Sequence, residues 1–275
     1  MKTSGLSKSK IRSWLSVARR AVAAGERIAL QSFSYERTNG YSLKSPGQIV
    51  TKADLTTNVA VQRVLNRLTP EIPVVSEEGG TLDERDASRV PLCWALDPID
   101  GTTNFTARIP LWGISLALLS HGEPIVGAIT LPSLGHYYFA TRGSGAWMKL
   151  QREKTTFRLH VSRTSNPRDA IALLCHGGKL KDIRKGLSTI SALGTQVRSE
   201  RVLGAAVIEA LWVAAGRVDF SILQGVHVWD VAAGALMVRE AGGKVVTYKG
   251  EPWSCDDDEI VFSNAKILPA ILKII

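Results

Sequence analysis

The stretch Asp97-Pro98-Ile99-Asp100-Gly101-Thr102-Thr103-Asn104-Phe105, DPIDGTTNF, decides how the chain reads. It follows an apolar run at residues 92–96, the pattern of a buried strand that delivers its last residues into a polar turn. Pro98 fixes its own backbone and Gly101 permits a tight turn, so Asp97 and Asp100, three apart, can converge on one point. Two carboxylates held that close call for a cation between them. Gly101 to Asn104 open a short helical turn, whose unpaired N–H groups can cradle an anion. A cation site beside an anion site is what metal-assisted phosphate hydrolysis requires. Taken alone, the same residues also read as an ordinary Asp-capped turn.

Three further segments supply carboxylates at a strand end, a turn or a helix start: VTKAD at 50–54, SEEGG at 76–80 and WDVAAGALMVREAGG at 229–243. Hard divalent cations take oxygen ligands, and Mg²⁺ prefers one or two carboxylates completed by water and substrate phosphate. Each segment also has a structural reading. Asp54 and Asp230 stand where a helix N-cap would, Glu77 and Glu78 suit a solvated pair before a glycine-rich loop, and residues 232–235 are small enough for close helix packing. It is their combination that points to one site.

Around these segments, helical periodicity predicts a first amphipathic helix over residues 11–25 behind a short basic tail, and a second over 54–68 ended by Pro70. Residues 73–76, 92–96, 112–119, 124–131 and 136–141 read as strands, the last three forming an antiparallel meander. Past a basic stretch near 151–158 the pattern changes to alternating strands and helices: strands at 170–175, 218–223, 244–248 and 259–263, and helices at 180–193, 204–215, 230–241 and the C-terminus.

Composition excludes several classes. The 275 residues, 45% hydrophobic and 21% charged, are those of a globular protein with ample core. Cys93, Cys175 and Cys255 show no CxxC spacing, which leaves neither a disulfide framework nor a thiolate metal cage, and Cys175 reads as a buried strand cysteine. The longest apolar run, at 111–119, is far short of the roughly 20 residues that span a bilayer, and no secretory pattern opens the chain, so a cytoplasmic protein without membrane attachment is expected. The net charge of +9 favours anionic partners, either nucleic acid or small phosphate esters. The basic residues are dispersed along the sequence without any nucleic-acid-binding pattern, which argues for the esters. No GxxxxGK[ST] or GxGxxG occurs. The five histidines lack metal-binding spacing, and His227, near Trp229, reads as a wall or packing residue.

The ordered set EE at 77–78, DPIDGTTNF and WDVAAG…EAGG resembles the inositol monophosphatase family of Mg²⁺-dependent, lithium-sensitive phosphatases, relatives of the fructose-1,6-bisphosphatases. The resemblance covers residues 14–265 and implies an α+β fold, a layered αβαβα sandwich with the site between two subdomains. Residues 1–155 would form an N-terminal α+β subdomain carrying most metal ligands, and 156–275 an α/β subdomain supplying Asp230 and pocket residues. Two or three Mg²⁺ ions are implied. Glu77, Asp97, the Ile99 carbonyl and Thr102 would hold the first, Asp97, Asp100 and Asp230 the second, and Glu77 with waters a weaker third. Glu77 and Thr102 would orient the attacking water, Asp54 would hydrogen-bond Thr102, and the Gly101 and Thr102 amides would hold the phosphate. Lys44 matches a basic residue in a mobile loop near the metals, and Val207 a wall of the substrate pocket. Asp100 and Asp230 would also face the substrate.

One position departs from the pattern. Inositol-selective members carry a glutamate seven residues before the WD aspartate, where it accepts a sugar hydroxyl, and this chain has Leu223 there. Leucine accepts no hydrogen bond, so the resemblance leaves the ester open among inositol phosphates, fructose 1,6-bisphosphate, histidinol phosphate and 3′-phosphoadenosine nucleotides. It also implies a homodimer acting on a small phosphorylated substrate. A reading from another class, a basic nucleic-acid-binding or regulatory protein on the same fold, rests on net charge alone.

Overall fold

The computed structural model describes residues 6–33, 41–45, 48–150, 153 and 155–275. The chain runs α1 (Lys8–Ser32), β1 (Tyr41–Ser45), β2 (Gln48–Thr51), α2 (Lys52–Leu68), β3 (Val74–Ser76), β4 (Cys93–Asp100), α3 (Thr102–Thr106), β5 (Gly113–Ser120), β6 (Glu123–Leu131), β7 (His136–Thr141), β8 (Ala146–Leu150) and β9 (Thr156–Arg158). Then follow β10 (Ile171–His176), α4 (Leu180–Leu193), β11 (Ser199–Arg201), α5 (Ala206–Ala214), β12 (Phe220–Gln224), α6 (Val228–Glu240), β13 (Lys244–Val246), β14 (Glu259–Ser263) and α7 (Leu268–Ile271). Strands β3 to β9 form one seven-stranded sheet in chain order, and a five-stranded sheet has the order β11-β10-β12-β14-β13.

Both faces of each sheet are covered. In β4 all eight residues are buried, with Trp94 and Leu96 facing α1 and α2 while Cys93 and Ala95 face the other way. The alternation of period two therefore feeds two cores. The second core lies between the sheets and is built on α5 and α6. Helix α5 is buried nearly all round, as a helix in a central layer must be. A Cβ on Gly234 of α6 would lie 2.4 Å from the Ala210 Cβ of α5, so the glycine permits their close crossing. A third core joins the outer face of the small sheet to α4 and α7. The layers are thus helix, sheet, helix, sheet, helix, the sandwich expected from the resemblance.

Some boundaries differ from the sequence reading. The first helix starts at Lys8, capped by the Ser7 side chain, and continues to Ser32, so part of the expected basic tail is helical. Strand β9 extends the seven-stranded sheet to Arg158, so a division at residue 155 would cut this sheet, and the chain passes to the second sheet only beyond it. Among the described residues no helix is long and apolar enough to cross a membrane.

Candidate active site

Asp97 and Asp100 reach one cleft because β4 contains a bulge. Asp97 lies opposite Ser115 and Asp100 opposite Gly113, three steps on one strand against two on the other. In a regular strand residues three apart point to opposite faces; the extra residue breaks that alternation, and both carboxylates line the same cavity. The Ile99 amide donates to Asp97 Oδ1 at 3.0 Å, which closes the turn. Gly101 follows with φ +81°, and a Cβ there would lie 3.0 Å from the Ala205 Cβ and 3.1 Å from the Leu111 carbonyl oxygen. Both the left-handed backbone and the space require glycine.

The central helical layer grips the first sheet through Asp100. The amides of Ala206 and Val207, at the start of α5, donate to its two oxygens at 3.1 and 2.9 Å. Asp230 comes from α6, where the His227 amide donates to its Oδ2 at 2.8 Å. Asp54 sits in the first turn of α2, accepting from the Thr51 amide at 2.8 Å. Neither Asp54 nor Asp230 is the N-cap itself. Thr51 and His227 hold that position, and each aspartate is the third helical residue reaching back to the cap. The free oxygen of Asp54, Oδ1, lies 3.2 Å from the Thr102 hydroxyl, which is also 3.0 Å from the Ile99 carbonyl oxygen. Glu77 follows β3, its amide donating to the Leu96 carbonyl at 3.3 Å.

Carboxylates in such a site resist ionisation. Burial pushes Asp230 up to about 8, helped by Glu77, and Asp100 up to about 7 against the pull of its two amide donors. Asp97 is raised well above the usual carboxylate range by burial and then by Glu77, Asp100 and Asp230, and burial also raises Asp54. Because these groups bind protons more tightly folded than unfolded, stability in metal-free buffer should fall as pH rises from about 4 through 8. The loss should be on the order of a few kcal/mol, and Mg²⁺ should cancel most of it by favouring the charged forms. Thermal melts at pH 6 and 8.5, with and without Mg²⁺, check this. Equal melts at both pH values without metal would contradict it.

The donor set is all oxygen: four carboxylates, the Ile99 carbonyl and the Thr102 hydroxyl border one cavity of about 200 Å³. Among the described residues no three acidic, histidine or cysteine side chains close into a cage by themselves. Glu77, Asp97, Ile99, Asp100, Gly101, Thr102 and Asp230 all border the cavity, and Asp54 backs Thr102.

Two expected pocket residues stand elsewhere. Leu223 and Val207 are fully buried in the core between the sheets and are not among the residues that border the cavity, which include His176, Gly178, Gln224 and His227. Val207 contributes through its amide on Asp100. Lys44 lies on β1, and its side chain is outside the described residues. Cys175 borders the cavity, but burial pushes its thiol well above the ordinary range, which makes it no nucleophile. The His227 ring stacks on Trp229 at 4.7 Å.

Glu84 was not visible in the sequence. It accepts from the Val228 amide and pairs with His227 Nδ1, both at 2.8 Å, and thereby caps α6 from 144 residues away. This pairing raises the His227 pKa. Nothing local in the sequence marks a contact of that range.

A profile of the inositol monophosphatase family matches residues 10–275. The chain belongs to the inositol monophosphatase family. An inositol-1-monophosphatase of Mesorhizobium japonicum is 32% identical over 255 residues, covering 92% of each chain. A fructose-1,6-bisphosphatase/inositol-1-monophosphatase of Thermotoga maritima is 30% identical over 227 residues, 82% of each. Among solved structures, the extragenic suppressor protein suhB of Bartonella henselae superposes with a TM-score of 0.85 at 27% identity, over 95% of this chain and 98% of that one. These relatives place the inositol monophosphatase family member among phosphatases with the layered α+β sandwich.

Proposed function

We propose that this chain is a Mg²⁺-dependent phosphomonoesterase that hydrolyses a small phosphate ester by direct attack of water. The observation that carries the reading is the gathering of Glu77, Asp97, Asp100 and Asp230 with Thr102 around one cleft bordered by the start of α3. The four carboxylates, the Ile99 carbonyl and the Thr102 hydroxyl would hold the ions. When bound, Mg²⁺ neutralises the phosphoryl oxygens and lowers the pKa of water. The rest falls to the protein. Thr102 has one hydroxyl hydrogen, and donating it to Asp54 Oδ1 leaves an oxygen lone pair to accept a hydrogen bond from the attacking water, whose proton would pass to Glu77. The Gly101 and Thr102 amides would receive the phosphate, and the alcohol would leave past Asp230 toward Gln224. No covalent intermediate is needed.

Activity should vanish in excess EDTA, return with Mg²⁺ and fall when Ca²⁺ replaces it, because Ca²⁺ takes longer bonds and more ligands than this site is shaped for. Full hydrolysis in EDTA would end the proposal. Phosphate release from inositol 1-phosphate, fructose 1,6-bisphosphate, histidinol phosphate and 3′-phosphoadenosine 5′-phosphate, each with Mg²⁺, identifies the ester. Family resemblance adds the expectations of a homodimer and inhibition by Li⁺.

A further inference from the structure

The fold gathers charge that looks scattered in the sequence. Helix α1 carries six basic residues against one acidic and α2 three against one, so seven of the nine net positive charges of the chain fall on these two helices. They form a single outer layer on the seven-stranded sheet, on the face away from α5 and α6. Not all of this charge is available: Arg19 lies over the Tyr137 and Phe139 rings and Lys10 over Trp14. Arg20, Arg27 and Arg67 differ. They are exposed, have no carboxylate partner among the described residues, and line one groove of about 540 Å³ between the helices. Ala23, Ala24, Leu30 and Val64 also line it, and Glu26 is its one acidic residue among the described residues.

We infer that this groove docks the phosphodiester backbone of a nucleic acid, without base specificity. A run of phosphates is the occupant that fits. All three cations are arginines, whose planar forks match phosphate oxygens two at a time, and they come from both helices around a concave strip rather than a flat surface. The attraction is electrostatic and independent of the metal cleft, so it stands or falls apart from the proposed hydrolysis.

The test is fluorescence anisotropy of a labelled 20-nucleotide oligouridine RNA against the full chain from 50 to 300 mM KCl. Wild type should bind in the micromolar range at 50 mM KCl and weaken steeply with salt. The Arg20→Gln/Arg27→Gln/Arg67→Gln variant should lose at least about 10-fold in affinity and flatten the log–log salt slope by about 2, at roughly 0.7 per lost phosphate contact. The corresponding triple Arg→Lys variant, which keeps the charge, should retain the slope. Phosphatase activity and melting temperature should match wild type in both variants. Absence of binding at 100 μM protein, or unchanged binding by the glutamine variant, overturns the inference. Tighter binding to polyglutamate or to vesicles containing phosphatidylserine also overturns it, and would reassign the face to an acidic protein or a membrane.

Discussion

Asp97→Asn should lower kcat at least about 100-fold with any ester the enzyme hydrolyses, while leaving the fold intact. Asp97 lies at the bulge where the other carboxylates crowd around it, and the resemblance gives it to both metal positions. The amide keeps the shape and can still accept from the Ile99 amide, but it removes the charge that would bind the ions. A loss of about 3 kcal/mol of transition-state stabilisation corresponds to that factor. The variant should melt no lower than wild type without metal at pH 8, since one crowded carboxylate is gone. Its response to added Mg²⁺ should shrink. Retention of more than a few per cent of wild-type kcat would remove Asp97 from the metal assignment.

Leu223→Glu should destabilise the protein rather than redirect its specificity. The sequence pattern invites this substitution as a restoration of a hydroxyl acceptor, but the strand places the side chain in the core on the same face of β12 as Ser221, whose hydroxyl already serves the buried Glu209 at 2.6 Å. Burial holds Glu209 up to about 8. A second carboxyl there would lack a partner, at a cost of about 3 kcal/mol or more. Its pKa would be raised in the folded state, so the penalty should grow as pH rises above about 4. Urea titrations at pH 5 and 8 measure this. A stable variant with a raised preference for inositol 1-phosphate would show that the side chain reaches the substrate.

These two residues mark how far the sequence could be read. The strand-to-turn switch at Asp97 and the helix start at Asp230 were legible because apolar runs stop abruptly at turn-forming residues. The bulge was not, because register is a property of two strands and β5 carries half of it. Leu223 shows the same limit: spacing from Asp230 locates a residue along the chain, whereas the face it takes depends on where β12 joins the sheet. The arginines of α1 and α2 looked dispersed because their proximity is created by helix packing.

The four aspartates of the site are aimed by main-chain amides, those of Thr51, Ile99, Ala206, Val207 and His227. Every residue except proline can supply an amide, so the side chains at Ile99, Ala206 and Val207 can vary within their packing without turning a carboxylate, whereas the Thr51 hydroxyl also bonds Asp54 and the His227 ring pairs with Glu84. His176 and Gln224 border the same cavity, and neither is among the groups that hold these aspartates. On the proposed function, hydrolytic machinery and alcohol recognition would therefore be separable parts. Grafting the 176–179 and 224–226 loops between relatives, with His227 left in place to hold Asp230, should then exchange the ester accepted while the reaction itself carries on.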